Sequence, residues 1–261
     1  MDTAAFKTDN DNYPVFDISV IIPAHNEEKY VRRCIESVRN SDNLYPGKTE
    51  IIVVCNRCTD RTAEIVGECG AVTVENSDRC IALVRNTGIK NARGRIIVTI
   101  DCDNRMTAGT LGEIYSKINS GKYIGGGAPI RFERESLPLK INDYMCRAGF
   151  FLTGLYAGII WAEKSTFEAI GGFVDKKSME DIATVKLLKK YGKEKGKKFG
   201  VLEKNFLINS TRKYDDAGDD WLYFRLMAKN IVPMMKAALG KPEEYDRLLD
   251  EMFYDYNDIH K

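Results

Sequence analysis

The chain carries almost no net charge. Its 39 Lys and Arg residues against 38 Asp and Glu leave a formal +1. That excludes the general positive field on which nucleic-acid binding draws. It also lacks an uninterrupted apolar run of about 18 residues, the length of a transmembrane helix. The most apolar stretch, 149–162, is broken by three glycines and closes at Glu163-Lys164. Residues 1–12 are polar and mixed in charge, unlike a signal or transit peptide, so the expected location is the cytoplasm. Neither G-x-G-x-x-G nor G-x-x-x-x-G-K-[ST] occurs, which removes the dinucleotide fingerprint and the P-loop. Cys55-x-x-Cys58 has no second C-x-x-C and no H-x-x-x-H to complete a zinc site. Seven cysteines, scattered and odd in number, point to reduced thiols. A thioredoxin-like use of the Cys55/Cys58 pair at this strand-to-helix junction would leave the rest of the chain unexplained.

What is present is a soluble, globular composition: 261 residues, 44% hydrophobic and 30% charged. That length makes one large domain or two small ones. From residue 17 the pattern alternates. Asp17–Pro23 reads as a strand, and a helix follows with Tyr30, Val31, Cys34, Ile35 and Val38 on one face. Asn26 is its candidate N-cap. Glu50–Cys55 is the next strand, and Thr59-Asp60 can cap a helix that stops at Gly70. Ala71–Glu75 is a short strand, Ser77-Asp78 opens another helix, and Arg95–Ile100 is a buried strand. One more helix starts near Thr107 and ends before Gly121. Strand–helix pairs of about 25–35 residues predict a mostly parallel sheet with helices on both faces. After Gly125-Gly126-Gly127 the pattern changes. Residues 129–180 read as irregular, and 182–191 as a helix. Lys189–Lys198 reads as a solvated lysine-rich loop, and 199–209 as a last strand or two. Two helices are expected over 219–239 and 243–257.

The stretch that organises this reading is Asp101-Cys102-Asp103. It lies at the C-terminal end of a buried strand, where open α/β sheets bind ligands. Residues i and i+2 share a side of an extended chain. Two carboxylates there can face one hard cation, or they can simply open a turn.

Four pieces together resemble the inverting family 2 glycosyltransferases, which have the GT-A fold. They are Val20-Ile-Ile-Pro-Ala-His-Asn-Glu-Glu28, Val53-Val-Cys-Asn-Arg-Cys-Thr-Asp-Arg-Thr62, Arg85-Asn86-x-Gly88 running through Ala92-x-Gly94 into Asp101-Cys-Asp103, and Gly171-Gly-Phe173 followed by Glu180-Asp181. Their order and spacing match over roughly residues 17–190. The resemblance implies a single GT-A domain: a nucleotide-sugar half over 17–128, an acceptor half over 129–215, and a C-terminal helical extension over 216–261.

It also implies a metal-dependent transferase of glycan or glycolipid synthesis, with a UDP- or GDP-linked sugar as donor and a saccharide or lipid-linked acceptor. Asp103 would hold Mn²⁺ or Mg²⁺, with Asp101 assisting or facing the ribose. Pro23, Ala24 and Glu27 would line the base and ribose site, although Glu27 reads equally as a first-turn helix acid. Asn56 stands where many relatives use an aspartate to read uracil, which leaves the base open. Arg85 either touches phosphate or lies on a helix surface. Asp181 would be the general base and Glu180 its neighbour in the acidic pair. Ser210–Tyr214 resembles a basic-aromatic motif of some members, and reads as a loop over the diphosphate or as a surface turn. The helix expected from Trp221 reads as packed on the catalytic domain, or else as an interfacial helix in peripheral contact with the inner face of a membrane. Two rivals remain at this point, a polyprenyl-phosphate sugar transferase and a non-catalytic nucleotide-sugar sensor.

Overall fold

The computed structural model describes residues 16–176, 179–218 and 220–221. In chain order the elements are β1 (Ile18–Ala24), α1 (Val31–Asp42), β2 (Thr49–Asn56), α2 (Thr62–Glu68), β3 (Val72–Asn76), α3 (Ile81–Asn91), β4 (Ile96–Thr99), β5 (Arg105–Met106) and α4 (Thr110–Asn119). There follow β6 (Tyr123–Gly127), β7 (Ile130–Phe132), α5 (Leu137–Thr153), β8 (Ile160–Glu163), α6 (Lys164–Ile170), α7 (Glu180–Glu194), β9 (Lys198–Val201), β10 (Leu207–Asn209) and α8 (Arg212–Ala217).

Seven strands form one sheet in the order β3-β2-β1-β4-β8-β6-β9. β8 alone opposes its neighbours β4 and β6; every other pairing is parallel. A small second sheet, β5-β10-β7, flanks it. β1 and β4 are buried along their whole length, as unalternating β-branched runs should be when both faces are covered. The side chains nevertheless sort by parity. Ile18, Val20 and Ile22 meet Cys34, Ile35 and Val38 of α1 and Leu111 and Ile114 of α4. Ile21, Ile52 and Ile97 meet Val84 of α3, Phe167 of α6 and Val185 and Leu188 of α7. Each such Ile or Val contributes about 1.5–3 kcal/mol when removed from water.

The expected alternation holds through α4, with corrections at the caps. Asn26 does not cap α1, which begins at Val31 with no side-chain cap. Instead Asn26 adopts a left-handed backbone (φ 54°) and its Oδ1 accepts the Thr59 amide at 2.8 Å. α2 begins at Thr62, where Asp60 Oδ1 accepts the Thr62 amide at 2.9 Å.

The larger correction concerns 129–180, which is not irregular. It holds β7, the 17-residue α5, β8 and α6. Pro138 is tolerated in the first turn of α5, where an amide would lack a partner anyway. The glycines before it make room for an aromatic. Trp161 of β8 is fully buried, and a Cβ on Gly126 would come within 2.2 Å of its ring. The lysine-rich 189–198 stretch is the end of α7, a turn at Gly196 (φ 66°) and the start of β9 rather than a loop. Its lysines are exposed apart from the half-buried Lys197, as a solvated face requires. The helices expected over 219–239 and 243–257, and with them the membrane contact, lie outside the described residues apart from 220 and 221. Among the described residues no helix is long and apolar enough to cross a membrane.

Candidate active site

Every candidate residue lies at or beyond the C-terminal ends of β1, β2 and β4, or on a segment folded over them. β4 ends at Thr99, and Asp101-Cys102-Asp103 follows within the next turn. Pro23 and Ala24 end β1 and are paired in register with Val54 and Cys55 of β2. Asn56 ends β2 and is buried. Its Nδ2 donates to the Asp78 carbonyl at 2.9 Å, its Oδ1 accepts Arg57 Nε at 3.3 Å, and its carbonyl accepts His25 Nδ1 at 2.6 Å. The Asn56 amide is therefore engaged at both ends within the protein, and His25 is a loop tie.

Arg85 is no helix-surface residue. It is 6% exposed and its guanidinium lies 5.2 Å from the centre of the Phe173 ring. Nη2 meets Asp101 Oδ1 at 2.6 Å, and Nη1 meets Glu180 Oε1. Its neighbour Asn86 brackets the backbone of Phe173, donating to the carbonyl at 3.0 Å and accepting the amide at 2.8 Å. This explains Gly172. Its φ is +80°, and a Cβ there would come within 2.4 Å of Asn86 Oδ1. The Arg-Asn pair of α3, the Gly-Gly-Phe turn and the acidic start of α7 thus form one assembly. Glu180 is 4% exposed, and Asp181 Oδ1 accepts the Ile182 amide at 2.7 Å. Burial, then the adjacent Glu180, push the Asp181 carboxyl up to about 6, although Arg85 pulls the other way.

A second cation serves the other carboxylates. Arg212 Nη2 lies 3.2 Å from Asp103 Oδ2, and Nη1 lies 3.0 and 2.7 Å from the two oxygens of Glu27. Glu27 stands before the helix, and its carboxylate points into the site rather than along the first turn of α1. Burial raises the carboxyls of Glu27 and Asp103 against the pull of Arg212, and lowers the ammonium of Lys213. Reasoning from sequence left Ser210–Tyr214 between a lid and a surface turn, and did not single out Arg212 as a site residue. The docking of α8 explains its position. The Ser210 amide donates to Asn104 Oδ1 at 2.9 Å and the Thr211 amide to Glu133 Oε1 at 3.0 Å. Arg33 ties Glu133 (3.1 Å) to the Asp103 carbonyl (3.0 Å). Arg33 and Glu133 had no motif to announce them.

Carboxylate oxygens suit a hard divalent cation, and Asp103 with Glu27 already holds a cationic group. Among the described residues no three His, Cys, Asp or Glu side chains are grouped to hold a metal. Such an ion would take its remaining ligands from substrate phosphates, the usual habit of Mg²⁺.

The model of glycosyl transferase family 2 matches residues 19–157. The chain belongs to that family. Among curated family relatives, the probable glycosyltransferase YdaM of Bacillus subtilis is 28% identical over 190 residues, covering 63% of this chain and 44% of YdaM. The chain spans 15%, 26% and 44% of the lengths of three curated relatives it matches. The fold is that of S. aureus TarS 1–349 solved with UDP (TM-score 0.58, 18% identity, 93% of this chain and 72% of that one). It is likewise that of glucosyl-3-phosphoglycerate synthase from Mycobacterium tuberculosis, solved with Mn²⁺, UDP and glucosyl-3-phosphoglycerate (TM-score 0.55, 18% identity, 81% of each chain). The GT-A fold expected of this family member is therefore the one observed. Residues of all four family-like pieces meet at one end of its sheet, although Ala92-x-Gly94 of the third packs at the other end, against Ile18 and Ser19.

Proposed function

We propose that the chain is a metal-dependent, inverting glycosyltransferase that moves a sugar from a nucleoside diphosphate to an acceptor. The observation that carries this reading is the buried Arg85, which joins Asp101 of the D-x-D stretch to Glu180 beside Asp181. Donor-side and acceptor-side carboxylates are thereby held at a fixed relation, as in-line displacement requires. A nucleotide-sugar sensor has no use for the second of them.

In this reading residues 17–128 bind the donor and 129–215 meet the acceptor. Pro23 and Ala24 border the base and ribose, with Asn56 at the base end through its backbone surroundings. Asp103, assisted by Asp101, would hold Mn²⁺ or Mg²⁺, which when bound offsets the charge that collects on the leaving diphosphate. Arg212 and Lys213 stand over the same carboxylates and are placed to meet diphosphate oxygens once donor has entered. Asp181 accepts the proton of the acceptor hydroxyl as that oxygen attacks the anomeric carbon from the face opposite the diphosphate. Glu180 fixes Arg85 and so the base beside it.

A second reading, transfer onto a polyprenyl phosphate, is supported by one feature. α5 turns Leu137 (69%), Tyr144 (69%) and Phe151 (80%) to solvent, an apolar face suited to lipid. Parallel transfer assays with saccharide and polyprenyl-phosphate acceptors separate the two. The test of the donor site is calorimetry with UDP. Binding is expected with Mn²⁺ and lost with EDTA, and Asp103→Ala should abolish the metal effect while leaving the fold unchanged by circular dichroism. Equal binding with and without metal in the parent protein ends the metal assignment.

A further inference from the structure

Two thiols stand at the base end of this site, and the mechanism uses neither. β2 ends in Cys55-Asn56, and Arg57-Cys58 follows. Cys55 is 4% exposed and is the register partner of Ala24 on β1. Arg57 adopts a left-handed backbone, φ 49°, which folds the chain back over the strand ends. The Cys58 Sγ consequently lies 3.5 Å from the Ala24 carbonyl oxygen and 3.9 Å from that of Asn56. Cys55 and Cys58 pack into the same core cluster beneath the sheet end.

The pair is asymmetric. Cys58 is half-buried and Cys55 buried. The neighbouring Cys55 and the Asn26 amide lower the proton affinity of the Cys58 thiol, and the neighbouring Cys58 and burial raise that of Cys55. An accessible nucleophilic sulfur beside an enclosed resolving sulfur is the arrangement that thiol–disulfide exchange requires. Cys34 and Cys102 also lie near each other, but both are buried and burial raises both thiols.

We propose that Cys55 and Cys58 are a site of reversible disulfide formation, driven by low-molecular-weight disulfides such as oxidised glutathione, and that the bond lowers donor affinity. The second clause rests on the donor-site reading above. The Cys58 thiolate attacks one sulfur of the small disulfide, whose S–S bond breaks and releases one thiolate. Cys55 yields its proton to that thiolate and attacks the Cys58 sulfur, displacing the second. Two protein thiols lose two electrons in all, and one small disulfide becomes two thiols. A covalent S–S bond of about 2.05 Å draws Cys58 off the Ala24 carbonyl. It also tightens the loop through Asn56, whose carbonyl anchors His25 and whose amide anchors Asp78. Ala24 and Asn56 are the residues assigned to the nucleoside end of the donor.

The full chain, fully reduced, is incubated with oxidised glutathione near neutral pH and mapped by non-reducing peptide mass spectrometry. A Cys55–Cys58 bridge is expected, and dithiothreitol should reverse it. Cys55→Ser should retain glutathione as a stable mixed disulfide on Cys58, and Cys58→Ser should form neither product. UDP titrations on reduced and oxidised protein should differ by about tenfold, roughly 1.4 kcal/mol, with no difference in Cys58→Ser. A stable adduct on Cys58 of the parent protein, a bridge to another cysteine, or no reaction overturns the bond. Unchanged UDP affinity in the bridged protein overturns its control of the donor site. Reduced protein that binds no UDP sinks the donor reading instead, and the peptide map still decides the bond.

Discussion

Asp181 combines two properties that a general base at neutral pH needs. It is half-buried, and its proton affinity is raised into the range where it can both take and give a proton. Asp181→Asn keeps the size and removes the acceptor of the proton. We expect transfer to fall ~10²–10⁴-fold, with UDP affinity unchanged by calorimetry; near-parent transfer would move the role to Glu180 or to another acid such as Asp175. The raised pKa also fixes a pH profile. Single-turnover transfer should climb as pH rises through about 6 and level off above it. Stability runs the other way. The folded protein holds this proton more tightly than the unfolded chain, whose ordinary value is 3.8. The contribution is complete below that value and is lost as pH rises through about 6. Asp181→Asn should therefore be more stable than the parent at pH 7 and not at pH 3, as urea titrations at the two pH values would read. The acids proposed for the site, Glu27, Asp101, Asp103, Glu180 and Asp181, could be picked out in the sequence because each stands beside a strand end or helix start, near its own backbone. Arg85 was named with its role open between phosphate and helix surface, and Arg212 was not singled out. Their partners Glu180 and Glu27 lie 95 and 185 positions away, and a long side chain gives no local sign of where its charged end arrives.

Among the elements up to α4, all but the two-residue β5 were legible, most plainly those that bury one simple pattern. β1, β2 and β4 are unbroken apolar runs, and α1 and α4 carry a single stripe. β6 and α5 were not. β6 reads Tyr-Ile-Gly-Gly-Gly, and its three glycines carry no strand propensity. It pairs because Trp161 on β8 fills the space that side chains would take. That fit makes a sharp prediction. Gly126→Ala places a methyl against the indole and the Gly200 carbonyl. Overpacking of this kind costs about 1–3 kcal/mol, and the midpoint of urea unfolding should fall accordingly. An unchanged midpoint would mean that β6 and β8 can separate freely. α5 escaped detection for another reason. Its apolar residues, Ile141, Tyr144, Met145 and Phe151 among them, are turned outward. Pro138 and Gly149 interrupt the helix signal at either end.

For the molecule as a whole, the parallel α/β class followed from the spacing of strands and helices. The reversal of β8 and the second sheet did not, since pairing direction depends on segments remote from each other in sequence. The same remoteness affects how ligands register. Donor and cation bridge β1, β4, α7 and α8 in the proposed site, so they should stabilise the fold as a unit. With UDP and Mn²⁺ each at about 100 times its dissociation constant, mass action adds about 2.7 kcal/mol per site. Calorimetric scans should show one transition moved upward. A shift confined to part of a split transition would mean that the two halves unfold separately.

The bond between Glu27 and Arg212 also sets an order of events during synthesis. A chain leaves the ribosome from its N-terminus, so β1, α1 and β2 can pair long before α8 exists. Until Ser210–Lys213 has emerged, Glu27 and Asp103 lack the cation that α8 brings them. The nascent sheet passes through an interval in which these acids face one another, with water or free cations to offset their charge. Completion of α8 ends that interval.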